Sequence, residues 1–482
     1  MVLSRFASAA GAACLIVTAA LPLGAQQASE PSPTVDLIRR DSTPIADRYR
    51  AVANRLIDAA LADSAAWERT ARLTDTFGHR LSGSKALESA LDWILVEMKR
   101  DGLENVRGEP VMVPHWVRGE ESAALVKPRA QILNMIGLGR SVGTPRGGIT
   151  APVLVVTSFA DLEAKASQAK GKIVLFDVPF TSYGATVAYR GGGASAAAKV
   201  GAVAALVRSV ASFSIQSPHT GAMTYDSTVA RIPTAALSVE DAMMLHRMSD
   251  RGEQVVVTLR MDAKTLPDAR SRNVVAEIVG SEKPDEIVVL GGHIDSWDVG
   301  QGAMDDAGGS VAAWEAVRLM KKLGLRPRRT VRVVLWTNEE NGLRGATGYR
   351  DAHVSELGKH VMAMESDNGV FKPTGVSIGS TAAGVAMARD IASLLSRFGA
   401  ASAVPGGPQA DIGPLYAAGV PTVAPVVDGS RYFWYHHSAG DTMDKLNPRE
   451  VAECVALMAV MAYVIADMPG TLPRVPPPAP RP

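Results

Sequence analysis

The chain has 482 residues with Lys+Arg 50 against Asp+Glu 49, so no net charge draws it to nucleic acid or to an anionic membrane surface. Hydrophobic residues make up 47% and charged residues 21%, the profile of a globular protein with more than one sizeable core and two or three domains. Of the two cysteines, Cys14 lies in an N-terminal apolar stretch; without that stretch Cys454 stands alone, which excludes an intramolecular disulfide and a multi-thiolate zinc site.

The first residues, MVLSRFASAAGAACLIVTAALPLGAQQ, carry one early positive charge, a short apolar run and a small-residue site near Ala25. They read as a secretory signal peptide over 1–25, which places the mature chain outside the cytoplasm or in a periplasm. Residues 34–104 repeat apolar positions three and four apart and predict helices with no interrupting strand; NVRGEPVMVPHWVRGEESAALV then alternates like an extended strand. From about Ala130 to Arg260 the texture becomes short β runs with Gly-rich connections (APVLVV, GKIVLFDV, GAVAALVRS, RIPTAALS, QVVVTLRM), and 129–265 reads as a domain inserted between 30–128 and 266–470. Within it GGGASAAAKV fits no nucleotide fingerprint and predicts a turn leading into a small-residue helix.

After Ser271 strand, loop and helix alternate. EIVVLGG, TVRVVLWT, HVMAMESD, GVSIGS and PTVAPVV are strands; 308–323, 342–350 and the stretch TAAGVAMARDIASLLSRFG are helices. Unbroken Val/Leu runs mean strands buried on both faces, hence an α/β fold with a mostly parallel mixed sheet flanked by helices. AECVALMAVMAYVIADM is a helix packed on that sheet with Cys454 in its core, too charged and too short to span a bilayer; 471–482 reads as a Pro-rich disordered tail.

In such sheets ligands bind beyond the carboxyl ends of the strands, and the unusual residues fall there. His293 and Asp295 follow IVVLGG, Glu339 and Glu340 follow VVLWTN, Glu365 and Asp367 follow HVMAM, and His436 and His437 follow TVAPVV. Crowding unpaired carboxylates costs several kcal/mol each, by order of magnitude, unless cations compensate. Imidazole and carboxylate without sulfur suit zinc, or manganese or cobalt, and one carboxylate can bridge two ions about 3.5 to 4 Å apart.

The runs HIDSWDVGQGAMDDAGG, RTVRVVLWTNEENG, MESDNGVFKPTG and HHSAGDTMDKLNP resemble the di-zinc exopeptidase family of secreted aminopeptidases and carboxypeptidase Q-like enzymes, over most of residues 35–470. The inserted β-rich segment resembles the protease-associated domain such enzymes carry. The resemblance implies two zinc ions, with His293 and Asp367 on one, Glu340 and His437 on the other, and Asp305 bridging. It makes Glu339 the general base and Asp295 the carboxylate that orients His293. His437 is preferred to His436 because the family histidine directly precedes Ser or Thr, and Asp305 to Asp306 as the first of the Asp pair. Asp298 and Asp306 are expected as solvated or supporting carboxylates, and for Glu365 a ligand role and a side chain pointing into the sheet both stay open. His353 and His360 are expected at the surface, and His79, His115, His219 and His246 in structural roles. Tyr435 is a candidate oxyanion donor, and Asp411 matches a further family motif near the site.

The implied chemistry is hydrolysis of dipeptides or short peptides with a free terminus, by a hydroxide shared between the ions, formed as the pKa of water falls from about 16 to near 7. A homodimer is implied by resemblance alone. A receptor-like scaffold of the same fold would lack ligands that this chain keeps; a metal-dependent deacylase is the enzymatic rival. Gly-x-Ser-x-Gly is absent, which disfavours a serine hydrolase, and no basic groove with interleaved aromatics points to nucleic acid.

Overall fold

A computed structural model describes residues 44–475; the expected signal segment and residues 476–482 lie outside the described residues. Three helices come first, α1 (Ile45–Ala62), α2 (Ala65–Phe77) and α3 (Lys85–Arg100). Their buried positions follow the spacing that predicted them, with Ala53, Leu56, Ile57 and Ala60 inward in α1 and Leu87, Ala90, Leu91 and Ile94 inward in α3. The Ser84 hydroxyl accepts from the Leu87 N–H and caps α3.

The remaining elements run β1 (Glu104–Val117), β2 (Glu121–Lys127), β3 (Gln131–Leu133), β4 (Met135–Gly137), β5 (Ile149–Val156), α4 (Phe159–Ala164), β6 (Ile173–Phe176), α5 (Tyr183–Lys199), β7 (Ala204–Arg208), β8 (Thr234–Leu237), α6 (Val239–Asp250) and β9 (Val256–Met261). Then follow β10 (Lys264–Ile278), β11 (Lys283–His293), α7 (Gly308–Lys322), β12 (Arg329–Trp336), α8 (Arg344–Ala352), β13 (His360–Glu365), β14 (Pro373–Gly379), α9 (Ala382–Ala392), β15 (Ser402–Pro405), α10 (Gly413–Ala417), β16 (Thr422–Val427), α11 (Tyr432–Tyr435) and α12 (Pro448–Asp467).

They form two eight-stranded sheets, one ordered β1-β10-β12-β11-β13-β16-β14-β15 and the other β3-β2-β9-β5-β6-β7-β8-β4. The centre of the first sheet, β12-β11-β13-β16, is parallel, with antiparallel neighbours on either side. Every residue of β12 and β13 is buried, as strands covered on both faces require. One face meets α7 and α12, where Cys454, Leu457 and Val460 are fully buried; the other packs Val289, Val334 and Trp336 against Tyr349, Ile412 and Leu415. Among the described residues no helix is long and apolar enough to cross a membrane.

Three expectations change. The extended stretch after Leu103 is two strands in different sheets, because residues 118–120 turn the chain out of β1 and into β2. Gly191, Gly192 and Gly193 lie inside α5 rather than in a turn; a Cβ on Gly193 would stand 3.0 Å from Phe176, so the glycine lets the helix approach β6. The first part of the Pro-rich tail is packed, with Leu472 buried, the Pro473 carbonyl accepting from the Ser380 hydroxyl at 2.7 Å and Arg474 donating to the His360 carbonyl at 2.8 Å.

The glycine pair ending IVVLGG has a packing reason. A Cβ on Gly292 would lie 2.3 Å from Asp306 Oδ2 and 2.6 Å from the Ser310 nitrogen, where α7 starts against the strand. Gly292→Ala is expected to lower stability by about 1–3 kcal/mol in denaturant titration; an unchanged midpoint would mean that α7 can back away freely.

Candidate metal centre

Strand register brings the charged residues to one edge. In the parallel pairing His293 stands opposite Trp336, and Gly291 opposite Glu365, so the residues just beyond β12 and β13 emerge level with His293. The turn before α7 brings Asp305 over this edge, and the single helical turn of α11 delivers His436 and His437 from the far side of β16.

His293 Nε2 lies 3.1 Å from Asp305 Oδ1 and 3.3 Å from Asp367 Oδ1. His437 Nε2 lies 2.9 Å from Glu340 Oε2 and 3.4 Å from Asp305 Oδ2. The five residues expected to hold metal therefore meet, and Asp305 stands between the two sets. His436 is close as well, with Nε2 3.6 Å from Asp305 Oδ2 and its ring stacked on that of His437 at 3.5 Å, but it is His437 that touches Glu340. Two groups of donor atoms lie within 4.8 Å of one another, His293 with Asp305 and Asp367, and Asp305 with His436 and His437. Asp305 Oδ2 is buried without a hydrogen-bond partner, an oxygen that a cation would satisfy. Imidazole and carboxylate donors, two neighbouring groups and an orphaned shared oxygen fit a pair of zinc ions.

The electrostatics point the same way. Burial pushes the Glu340 carboxyl well above its ordinary range, and Asp305 adds to the effect. Burial likewise raises Glu339 strongly, reinforced by Asp367 and Asp305 against the opposing pull of His293. For His293, burial opposes the charged ring, but hydrogen bonds to Asp305 and Asp367 outweigh it and raise the pKa. Burial and the neighbouring His436 hold His437 well below its ordinary value, leaving a neutral imidazole suited to ligation. Cations beside these buried carboxyls would draw their pKa values back down.

The supporting contacts differ from expectation in several places. The Asp295 carboxylate is 3.9 Å from His293 Nδ1, too far for a hydrogen bond; the Asp295 backbone carbonyl at 2.9 Å orients the ring instead. The Asp295 carboxylate accepts from the Glu339 N–H at 3.0 Å and so fixes the acidic pair. Asp306 takes the supporting one of its two expected roles: its oxygens accept from the His293 and Gly309 N–H groups at 3.0 and 3.1 Å. Asp298 pairs with Arg118 at 2.9 Å. Glu365 turns away from the ligand cluster and accepts from the Asp411 and Ile412 N–H groups at 3.0 and 3.2 Å, while both Asp411 carboxyl oxygens are buried without partners. His353 and His360 are buried, not superficial: His353 sits 3.1 Å from Glu109, and His360 shares a hydrogen bond with the Tyr349 hydroxyl at 2.9 Å.

A cavity of about 330 Å³ opens over the cluster, lined by Glu339, Glu340, Asp367 and His437 together with Tyr183, Arg190 and Tyr432. Tyr432, not Tyr435, thus faces the site. The connection between β7 and β8 takes part directly. The His219 ring lies 2.6 Å from the His436 carbonyl, and the Thr220 N–H donates to the His437 carbonyl at 2.9 Å. From the other side, Arg80 is fully buried and donates to the carbonyls of Ile294, Gln301 and Gly302, while Asp441 accepts from the Ala303 and Met304 N–H groups at 2.9 and 2.8 Å, holding the turn that carries Asp305. None of Arg80, Tyr183, Arg190 and Thr220 stands out in sequence, since each sits outside the strand-end runs or in a stretch read for its periodicity; Asp441 lies in the run HHSAGDTMDKLNP, where the two histidines drew the reading instead.

The model of Peptidase family M28 matches residues 273–462. Carboxypeptidase Q of Mus musculus is 49% identical over 429 residues, covering 88% of this chain and 91% of that protein. Carboxypeptidase Q of Homo sapiens is 48% identical over 441 residues, covering 92% and 93%. Among solved structures, a Peptidase M28 precursor from Shewanella amazonensis SB2B is 36% identical with a TM-score of 0.87, covering 89% of this chain and 99% of that one.

Proposed function

The chain belongs to peptidase family M28 and is a zinc metallopeptidase, and from that premise we propose that it is a secreted or periplasmic di-zinc exopeptidase hydrolysing dipeptides or short peptides with a free terminus. The observation that carries this reading is the position of Asp305, whose two oxygens face His293 on one side and His437 on the other. His293 and Asp367 would hold one ion, His437 and Glu340 the second, with Asp305 between them. The β-rich segment 129–265 is read as a protease-associated insert, a reading supported by the second sheet, to which it gives seven strands, β3 to β9; the eighth, β2, comes from residues 121–127 just before it.

Bound zinc supplies Lewis acidity, polarising the scissile carbonyl and making water a better acid. The chain's own residues do the rest. Glu339 faces the cavity beside the ligands, and its carboxylate takes the proton of the attacking water and returns it to the leaving nitrogen. Asp295 keeps it in place through the backbone N–H, and the connection between β7 and β8 holds the backbone of His436 and His437 through His219 and Thr220.

The test is metal analysis of the purified protein coupled to dipeptide hydrolysis. Two zinc ions per chain and release of both amino acids are expected. One ion per chain at saturation would remove the bridging role of Asp305, and a zinc-loaded protein inert on all peptides but active on acylated amino acids would replace the peptidase by the deacylase.

A further inference from the structure

Of the five expected metal ligands only His437 has a left-handed backbone, with φ +60°, a conformation that an L-residue seldom takes unsupported. Its ring also lacks the usual anchor. A histidine that binds metal through one ring nitrogen ordinarily donates from the other, as His293 does from Nδ1 to the Asp295 carbonyl at 2.9 Å. At His437 the neighbour of Nδ1 is Arg190 Nη1 at 3.4 Å, and a guanidinium has no acceptor to offer. The place of the Nε2 that meets Glu340 and Asp305 is therefore set through the main chain. That main chain is held from outside. His219 Nδ1 donates to the His436 carbonyl at 2.6 Å, and the Thr220 N–H donates to the His437 carbonyl at 2.9 Å. His219 is 1% exposed and its Nε2 is buried with no partner, so among the described residues the ring's one hydrogen bond is the one to His436. His219 is tied in turn to the ends of β7 and β8: its N–H donates to Ser209 Oγ at 2.9 Å, and Ser209 Oγ donates to the Leu237 carbonyl at 2.6 Å.

We propose that His219 is a positioning residue that sets the ring of His437 for one of the two ions, by donating from Nδ1 to the carbonyl of the His436–His437 peptide. The proposal rests on the two-ion reading and adds that the ions depend on different sheets. His293 ends β11 and Asp367 follows β13, both in the first sheet, whereas His437 takes its place from the second. Loss of the His219 donor frees the peptide to leave the left-handed conformation, and Nε2 then moves away from Glu340 and Asp305. The ion between His293 and Asp367 keeps separate supports: the Asp295 carbonyl on His293, and Gln409, whose Oε1 accepts from the Asp367 N–H at 3.0 Å. Removing one buried imidazole of the second sheet should thus weaken one ion and spare the other.

The test titrates the purified full chain with zinc against a chromophoric chelator. The wild type is expected to take up two ions; uptake of one at saturation refutes the two-ion reading before any variant is made, and takes the proposal with it. In His219→Gln, whose amide donor falls near Nε2 instead of Nδ1, one affinity should drop roughly 10- to 100-fold and the other stay within about threefold. His219→Asn puts an amide donor where Nδ1 was, and should bring both affinities back to within about threefold of the wild type. Added to Glu340→Gln, which already lacks the ion at His437, His219→Gln should leave the remaining affinity within about threefold, since both changes act on one ion. Visible spectra of the cobalt-loaded protein read the same effect without turnover: the bands of one ion change in His219→Gln and return in His219→Asn. Equal behaviour of the Asn and Gln variants overturns the proposal, and so does a fall of both affinities together, which would make His219 a support of the whole fold. If His219→Gln does not fold, Ser209→Ala, which frees the His219 N–H, is expected to weaken that same ion by about threefold or more, and two unchanged affinities there overturn the proposal.

Discussion

Glu339→Gln is expected to keep the zinc content of the wild type and to lose roughly 10²- to 10⁴-fold in kcat on a dipeptide, the range a positioned general acid–base contributes. The two adjacent glutamates are placed for different tasks. Glu340 makes the 2.9 Å approach to His437 Nε2 and so stands with the proposed ligand set. Glu339 lines the cavity, with its backbone pinned by the Asp295 carboxylate at 3.0 Å. Gln has nearly the same shape but neither accepts nor returns a proton at neutral pH, so ground-state binding should survive and KM should move little. Glu340→Gln is the contrasting variant: it should lose metal first and activity as a consequence. Elemental analysis beside steady-state kinetics separates the two, and loss of zinc in Glu339→Gln would exchange the roles of the pair.

Removing zinc should make folding stability fall steeply as pH rises through the neutral range, and restoring zinc should abolish most of that slope. In the metal-free fold Asp441 is pushed up to about 7, first by burial and then by Asp305, and Glu365 to about 8, first by burial and then by Asp367. Their ordinary values are 3.8 and 4.5. Between the ordinary and the raised values the folded protein binds more protons than the unfolded chain, so the unfolding free energy decreases as pH increases. The metal-free protein is therefore favoured near pH 4 and progressively weakened up to about pH 7 to 8, where these groups ionise in the fold as well. Zinc supplies the missing positive charge, and because it binds the folded arrangement it adds stability by mass action. The difference in Tm between zinc-loaded and chelated protein should thus widen from about pH 5 to pH 8. A difference independent of pH would show that the carboxyl cluster does not carry its charge burden in the metal-free fold.

Much of the centre was legible because it depends on local pattern. Unbroken apolar runs fix where buried strands end; His293, Glu339 and Glu340 are the first charged residues past those ends, and Asp367 stands two positions after Glu365. A parallel register then has little freedom to place them anywhere but on one edge. Partners of these residues were far less legible. Asp295 is two positions from His293, a spacing that suggests a carboxylate contact, yet the chain path presents its carbonyl to the ring and its side chain to Glu339. Tyr432 and Tyr435 sit three apart on one helical turn, and only packing decides that the first faces the cavity. His353 and His360 look like surface residues in a polar stretch until Glu109 and Tyr349 arrive from elsewhere to bury them.

By itself the sequence determined the types of donor, their attachment to strand ends and the alternation that makes a sheet covered on both faces, since periodicity and turn chemistry act over a few residues. Only the tertiary structure decided which side chain or carbonyl supports each of the expected ligands, and that α5 brings Tyr183 and Arg190 over a cluster more than a hundred positions later in the chain. The reason is physical: a residue's burial and hydrogen-bond partners are set by whatever segment packs against it, and that segment leaves no trace in the residue's own neighbourhood.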